Sequence, residues 1–242
     1  MTPRAGLGPF VGGDVAGGAS GDRPAPLRYV VRVGSVAEAG IAARLHAEQI
    51  TTGFLSQLGP RFLERLYRRV VLWDGGLLLV AVDTDAEEPG NDGVVVGFIA
   101  SADPTSGLYR QFLLHDTVGA VLATIGPLLR TWRKVLETLR HGSSSSPGVG
   151  RGPEVLAMAV DTGSQGKGLG RSLVLGFVDG VVAAGKSEAY TVIAQDNGPS
   201  LALYRACGFV PAETFELHAG TASVVMQWDH ADGDGPDDPV TS

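Results

Sequence analysis

The segment DTGSQGKGLGRSLV, residues 161–174, sets glycines at alternate positions 166, 168 and 170, with Lys167 between two of them and Arg171 just after. An apolar, strand-like run, EVLAMAV, precedes it, and a helical pattern over 168–184 follows. A chain that turns from strand to helix through such a loop can direct backbone N–H groups at 166–170 toward one anionic group. The helix dipole that starts there adds positive potential, which Lys167 and Arg171 can supplement, so no metal is required. Gly168 and Gly170 suit close approach of a ligand to the backbone. Taken alone, the loop fits a plain strand–helix turn as well as it fits a phosphate cradle.

Two familiar phosphate loops are excluded by spacing. A P-loop carries glycine five residues before its Gly-Lys and Ser or Thr after it. Here Asp161 and Gly168 occupy those places, so the magnesium ligand is missing. The dinucleotide fingerprint requires a third glycine where Arg171 stands, and the acid near its ribose-binding spacing, Glu188, precedes the next strand instead of ending it.

Around the loop, the chain reads as one α/β domain over residues 27–229, with no internal repeat. Strands are expected at 27–33, 76–83 and 93–101, and helices at 35–50 (capped by Ser35) and 59–73. Residues 107–141 read as helical, divided at Pro127, and GSSSSPGVGRG (142–152) reads as a linker. A strand at 153–160, the loop and its helix, a strand at 189–194, a helix at 199–206 and a closing pair of strands near 209–217 and 221–228 complete a mixed sheet. Of 242 residues, 44% are hydrophobic, enough for one sizeable core. Residues 1–26 read as a disordered Gly/Pro-rich leader and 230–242 as a disordered acidic tail.

Composition narrows the partners. The net charge is −7 without a broad basic stripe, which argues against nucleic acid. The longest apolar run, VGAVLATIGPLL at 118–129, is too short to span a bilayer and contains Pro127, so a soluble protein is expected. A single cysteine, Cys207, rules out an internal disulfide framework and suits a reducing cytoplasm.

About 30 residues beyond the loop comes TVIAQDNGPSLALYRACGFVP (191–211). QGKGLG and NGPSLALYRACGF, in this order and at this spacing, resemble the paired motifs of the GCN5-related N-acetyltransferase (GNAT) superfamily, with the clear match over about 153–211. The segment LHAEQITTGFLSQLGPRFLERLY (45–67) is similar to the N-terminal helices of many bacterial members. The resemblance implies a mostly antiparallel mixed sheet flanked by helices, acetyl-CoA as donor and an amine as acceptor.

Residue by residue, the resemblance implies that Gln165, Gly166, Lys167, Gly168, Leu169 and Gly170, with Arg171 beside them, cradle the coenzyme A pyrophosphate. It implies that the strand EVLAMAV carries a bulge, and that Met158, Ala159 and Val160 bind the pantetheine arm and polarise the thioester carbonyl. Asn197 matches a position that hydrogen-bonds that arm, and its type also suits a helix N-cap. Tyr204 matches the general acid that protonates the departing thiolate, or else packs as a core aromatic. Cys207 reads as a small core residue. A base is needed because an ammonium cannot attack a thioester before losing a proton. Glu154, eleven residues before Gln165, matches a glutamate that some members use, directly or through water; His46 and Glu48 are further candidates.

One departure stands out. Residues 102–152 separate the third and fourth strands, which the family usually keeps close; this helical excursion either covers the acceptor site or supports a homodimer interface. His46, Phe54 and Leu55 lie toward the expected acceptor side, where Phe54 and Leu55 either touch the acceptor or pack in the core. The expected activity is direct acetyl transfer to a primary amine of a small molecule, such as an amino sugar or amino acid derivative. The alternatives are a protein N-terminal or lysine acetyltransferase, or a non-catalytic acyl-CoA-binding module.

Overall fold

The computed structural model describes residues 28–50, 55–86, 93–115, 150–218 and 221–230. The expected leader, Phe54, the excursion beyond residue 115 as far as 149, and the tail from 231 lie outside the described residues.

Two uninterrupted apolar runs make the centre of the sheet. GLLLVAVD forms β2 (Gly76–Asp83) and VVVGFIASA forms β3 (Val94–Ala102), both buried along nearly their whole length. Strands covered on both faces have no polar side to alternate with, which is why these two read as continuous hydrophobic stretches. β1 (Tyr29–Val33) pairs antiparallel with β2, and β4 (Glu154–Val160) pairs antiparallel with β3. β5 (Glu188–Ala194), β6 (Val210–His218) and β7 (Thr221–Asp229) complete seven strands in the order β1-β2-β3-β4-β5-β7-β6. Only β4 and β5 run parallel, so the sheet is mixed and mostly antiparallel, as expected.

Helices cover both faces. α1 (Ala39–Gln49), α2 (Pro60–Leu72) and α3 (Thr105–His115) pack on one face through Leu45, Leu63, Leu66, Tyr67, Val70 and Leu108. α2 shows the pattern that places it: Leu63, Leu66, Tyr67 and Val70 are buried while Arg61, Arg65 and Arg68 stay exposed, an apolar stripe at helical spacing. α4 (Leu169–Ala183) and α5 (Gly198–Ala206) pack on the other face through Leu169, Leu173, Phe177, Leu201 and Tyr204.

Ser35 precedes a short 3-10 turn, Val36–Glu38, so α1 begins later than the expected helix over 35–50. The Glu38 carboxylate accepts from the Ser35 N–H at 2.7 Å, the Ser35 hydroxyl at 2.9 Å and the Arg32 guanidinium at 2.6 Å. Burial would raise the Glu38 carboxyl, but these donors outweigh it and hold the group below the usual carboxylate range.

β4 bends where the site forms. Ala100 faces Ala157 while the next residue, Ser101, faces Val155, so Leu156 is a bulge. The extra residue reverses the alternation along the strand. Val155 joins the core beneath α4, whereas Ala157 and Ala159 join the core beneath α1 and α2, with Met158 and Val160 turned to the α4 side. The parallel pairing with β5 consists of Glu154 with Tyr190 and Val155 with Thr191; past the bulge the two strands separate.

Candidate active site

The glycine loop owes its shape to backbone conformation. Asp161 accepts from the Gly163 N–H at 3.0 Å and starts a 3-10 turn over Thr162–Ser164. Gly166 and Gly168 then take φ of 75° and 80°, in the left-handed region that side chains disfavour. A Cβ at either position would meet nothing within 4 Å, so no neighbouring side chain demands glycine there. Gly170 differs: its added Cβ would lie 3.2 Å from Leu203 Cδ2, and glycine lets α4 approach α5. Among the described residues, no backbone carbonyl accepts from an N–H of Gly166 to Arg171. These donors adjoin the N-terminus of α4, an arrangement suited to an anion.

These groups open on a cavity of about 430 Å³, lined by Met158, Ala159, Val160, Gln165, Gly166, Gly168, Leu169, Gly170 and Arg171, with Gln49 and Ser200. Gln165 secures the base of the loop: its amide donates to the Val160 carbonyl at 3.0 Å and to Gln49 Oε1 at 3.3 Å. Thr162 Oγ1 donates to the same Gln49 oxygen at 3.1 Å. Lys167 is outside this wall. Its ammonium donates to the Gly163 carbonyl at 2.8 Å and stands 5.7 Å from the centre of the Tyr29 ring.

A second cavity, about 310 Å³, fills the space where β4 and β5 part. It shares Ile50, Met158 and Ser200 with the first, so the two adjoin. Leu156, Ala157 and Thr191 to Ala194 form its sides, and Asn197, Tyr204, His46, Leu55 and Ser56 also line it. Asn197 caps α5 by accepting from the Ser200 N–H at 3.2 Å. Tyr204 is 3% exposed, sits edge-on to Phe209 with ring centres 5.0 Å apart, and has its hydroxyl pKa pushed up by burial. At neutral pH that hydroxyl carries a proton it can donate.

His46 is buried, with Nδ1 2.5 Å from the Tyr67 hydroxyl and Nε2 3.3 Å from Ser56 Oγ. Burial lowers its pKa to about 4, so the imidazole is neutral at neutral pH. Glu48 is exposed and lines neither cavity. Glu154 stands one residue outside the wall that begins at Val155. Its Oε2 accepts from Thr105 Oγ1 at 2.5 Å and from the Tyr190 hydroxyl at 3.0 Å. Burial raises the carboxyl above its ordinary value, and the two hydrogen bonds oppose that rise.

The family model for the acetyltransferase (GNAT) family matches residues 48–209. The chain belongs to that family. The chain is 37% identical over 78 residues to the mycothiol acetyltransferase of Kocuria rhizophila, a match covering 32% of this chain and 23% of that one. The match thus spans about a quarter of the relative's length. Among solved structures, Arabidopsis thaliana NAA60 in complex with acetyl-CoA superposes with a TM-score of 0.54 at 16% identity, covering 83% of this chain and 98% of that one. A spermidine N-acetyltransferase chimera of Vibrio cholerae SpeG and hSSAT superposes with a TM-score of 0.53 at 14% identity, covering 84% and 96%.

The fold sets Met158 to Val160, Gln165, Gly166 and Gly168 to Arg171 around the first cavity, and Asn197, Tyr204, His46 and Leu55 around the adjoining one. Leu55 serves two ends, packing against the α1–α2 core while it lines that second cavity. Cys207 is buried among core residues beside α5, and burial raises its thiol. Sequence reasoning missed Gln49, Ser56, Ser200, Thr105 and Tyr190. Ser200 was visible as the small residue of the Asn197 motif. The other four come together only through tertiary packing. Among the described residues no cluster of three or more His, Cys, Asp or Glu could hold a metal, and no helix is long and apolar enough to cross a membrane.

Proposed function

We propose that this chain is a cytoplasmic, acetyl-CoA-dependent N-acetyltransferase acting directly on a primary amine of a small molecule. The observation that carries the reading is that the glycine loop's cavity adjoins the slot between β4 and β5, where Tyr204 is buried. The residues present fit acetyl-CoA: unspent N–H groups from Gly166 to Arg171 suit its pyrophosphate, and the slot suits an extended arm. When bound, that ligand supplies an acetyl group activated as a thioester. Gln165 keeps the loop in place, Arg171 adds charge at its mouth, and Asn197 with the backbone of Met158 to Val160 orients the arm. Tyr204 holds a donatable proton on Oη. Glu154 takes the acceptor's ammonium proton, directly or through water. His46 and Leu55 bound the acceptor end.

A relative named for mycothiol and a structural neighbour named for spermidine are in keeping with a small-molecule amine. The test is calorimetry with acetyl-CoA on the wild type and Gly168→Glu, followed by an amine library read by released thiol. Absence of acetyl-CoA binding by the wild type rejects the reading. Turnover of peptides but not of small amines moves the acceptor to protein N-termini or lysines; tight binding with no amine ever acetylated leaves a binding module.

A further inference from the structure

The excursion between β3 and β4 meets Glu154 at its first helix. Thr105 is the first residue of α3, and its hydroxyl donates to Glu154 Oε2 at 2.5 Å. Tyr190, which faces Glu154 across the short parallel pairing, donates to the same oxygen at 3.0 Å. Both donors thus converge on Oε2, while Oε1 accepts no hydrogen bond from the described residues. A carboxylate held by one oxygen cannot rotate freely, and its second oxygen keeps the lone pairs that a proton needs.

Building on the assignment of Glu154 as base, we propose that Thr105 and Tyr190 are positioning residues that lock Oε2 and leave Oε1 to take the ammonium proton. In that step an N–H bond of the acceptor breaks, an O–H bond forms at Oε1, and the nitrogen keeps the electron pair with which it attacks. The excursion is then part of the catalytic apparatus through Thr105, whatever else it covers.

Among the described residues the groups facing Glu154 are few. α3 contributes Thr105 and Tyr109, β5 contributes Tyr190, and β3 contributes Ala102, which does not titrate. Burial raises both tyrosine hydroxyls further above the neutral range, so neither ionises alongside the carboxyl. Each hydrogen bond favours the charged carboxylate, so deleting one shifts the carboxyl upward.

The test compares the acidic limb of kcat/KM in wild type, Thr105→Val, Thr105→Ser, Tyr190→Phe and Glu154→Gln, with thermal unfolding as a check on folding. Infrared titration of the carboxyl in the ligand-free protein gives a readout independent of turnover. Thr105→Val and Tyr190→Phe are expected to move both limb and carboxyl titration upward by about one pH unit, the size of one hydrogen bond to a charged group. Thr105→Ser restores the wild-type position, and Glu154→Gln removes the limb. A wild type that turns over with a limb indifferent to both variants, or a limb that survives Glu154→Gln, overturns the proposal. A wild type that binds no acetyl-CoA overturns the acetyltransferase reading itself, a separate result.

Discussion

The Tyr67 hydroxyl lies 2.5 Å from His46 Nδ1, and Tyr67 is 0% exposed. Burial pushes the Tyr67 pKa well above its ordinary value, so the hydroxyl keeps its proton and is able to donate it to Nδ1, the role we assign it. The imidazole is then the tautomer protonated on Nε2, which faces Ser56 Oγ at 3.3 Å. Nitrogen NMR of the imidazole should show this single neutral tautomer between about pH 5.5 and 8. Tyr67→Phe leaves a buried ring nitrogen unsatisfied and should cost about 1–3 kcal/mol in chemical denaturation. A mixture of tautomers in the wild type, or a neutral Tyr67→Phe, would contradict this arrangement.

The same histidine makes stability depend on pH. Its pKa is lowered from 6.5 to about 4 by burial, so between these values the unfolded chain binds the extra proton. Its contribution is complete above the unfolded value and is lost as pH falls toward about 4. The loss amounts to about 3 kcal/mol over the window. The stability difference between wild type and His46→Gln should therefore shift against the wild type as pH drops from 6.5 to 4. A constant difference rules out this titration.

Gly168 separates conformation from ligand binding. At φ 80° with open space around its position, alanine meets no clash and incurs only the left-handed backbone cost, about 1–2 kcal/mol. Gly168→Ala should lower Tm by a few degrees, while Gly168→Glu, with a carboxylate beside the anion-binding N–H groups, should abolish acetyl-CoA binding. Equal calorimetric affinities for Gly168→Glu and wild type would remove the loop from the binding site.

Tyr204→Phe keeps the ring packed against Phe209 and deletes only the hydroxyl. Acetyl-CoA affinity should hold while kcat falls about 10²-fold or more, the range for a lost general acid. If kcat survives, the proton comes from elsewhere.

The parts of the site that were legible in sequence are those governed by short-range geometry. Asn197 announces the cap it forms with Ser200, and the 3.6-residue stripe of α2 announces its buried face. Lys167 shows the limit of composition: a cation in a phosphate-type loop is free to turn, and here it binds the Gly163 carbonyl beside Tyr29. Gln49, placed 116 residues from its partner Gln165, carries no local signal at all. Likewise, Thr105, Glu154 and Tyr190 meet because α3, β4 and β5 converge in space. The insertion of β7 between β5 and β6 is also a matter of long-range register, where pattern alone promised only a closing pair of strands.

The meeting of β4 and β5 over just two residue pairs divides the sheet into a four-stranded and a three-stranded half. An extended ligand lodged in the notch would act as a keystone, bridging the halves where the backbone ladder is absent. At a hundredfold excess over its Kd such a ligand adds about 2.7 kcal/mol to the folded state. The durability of this protein would thereby follow the supply of its own donor, and a starved cell would hold a looser molecule than a fed one.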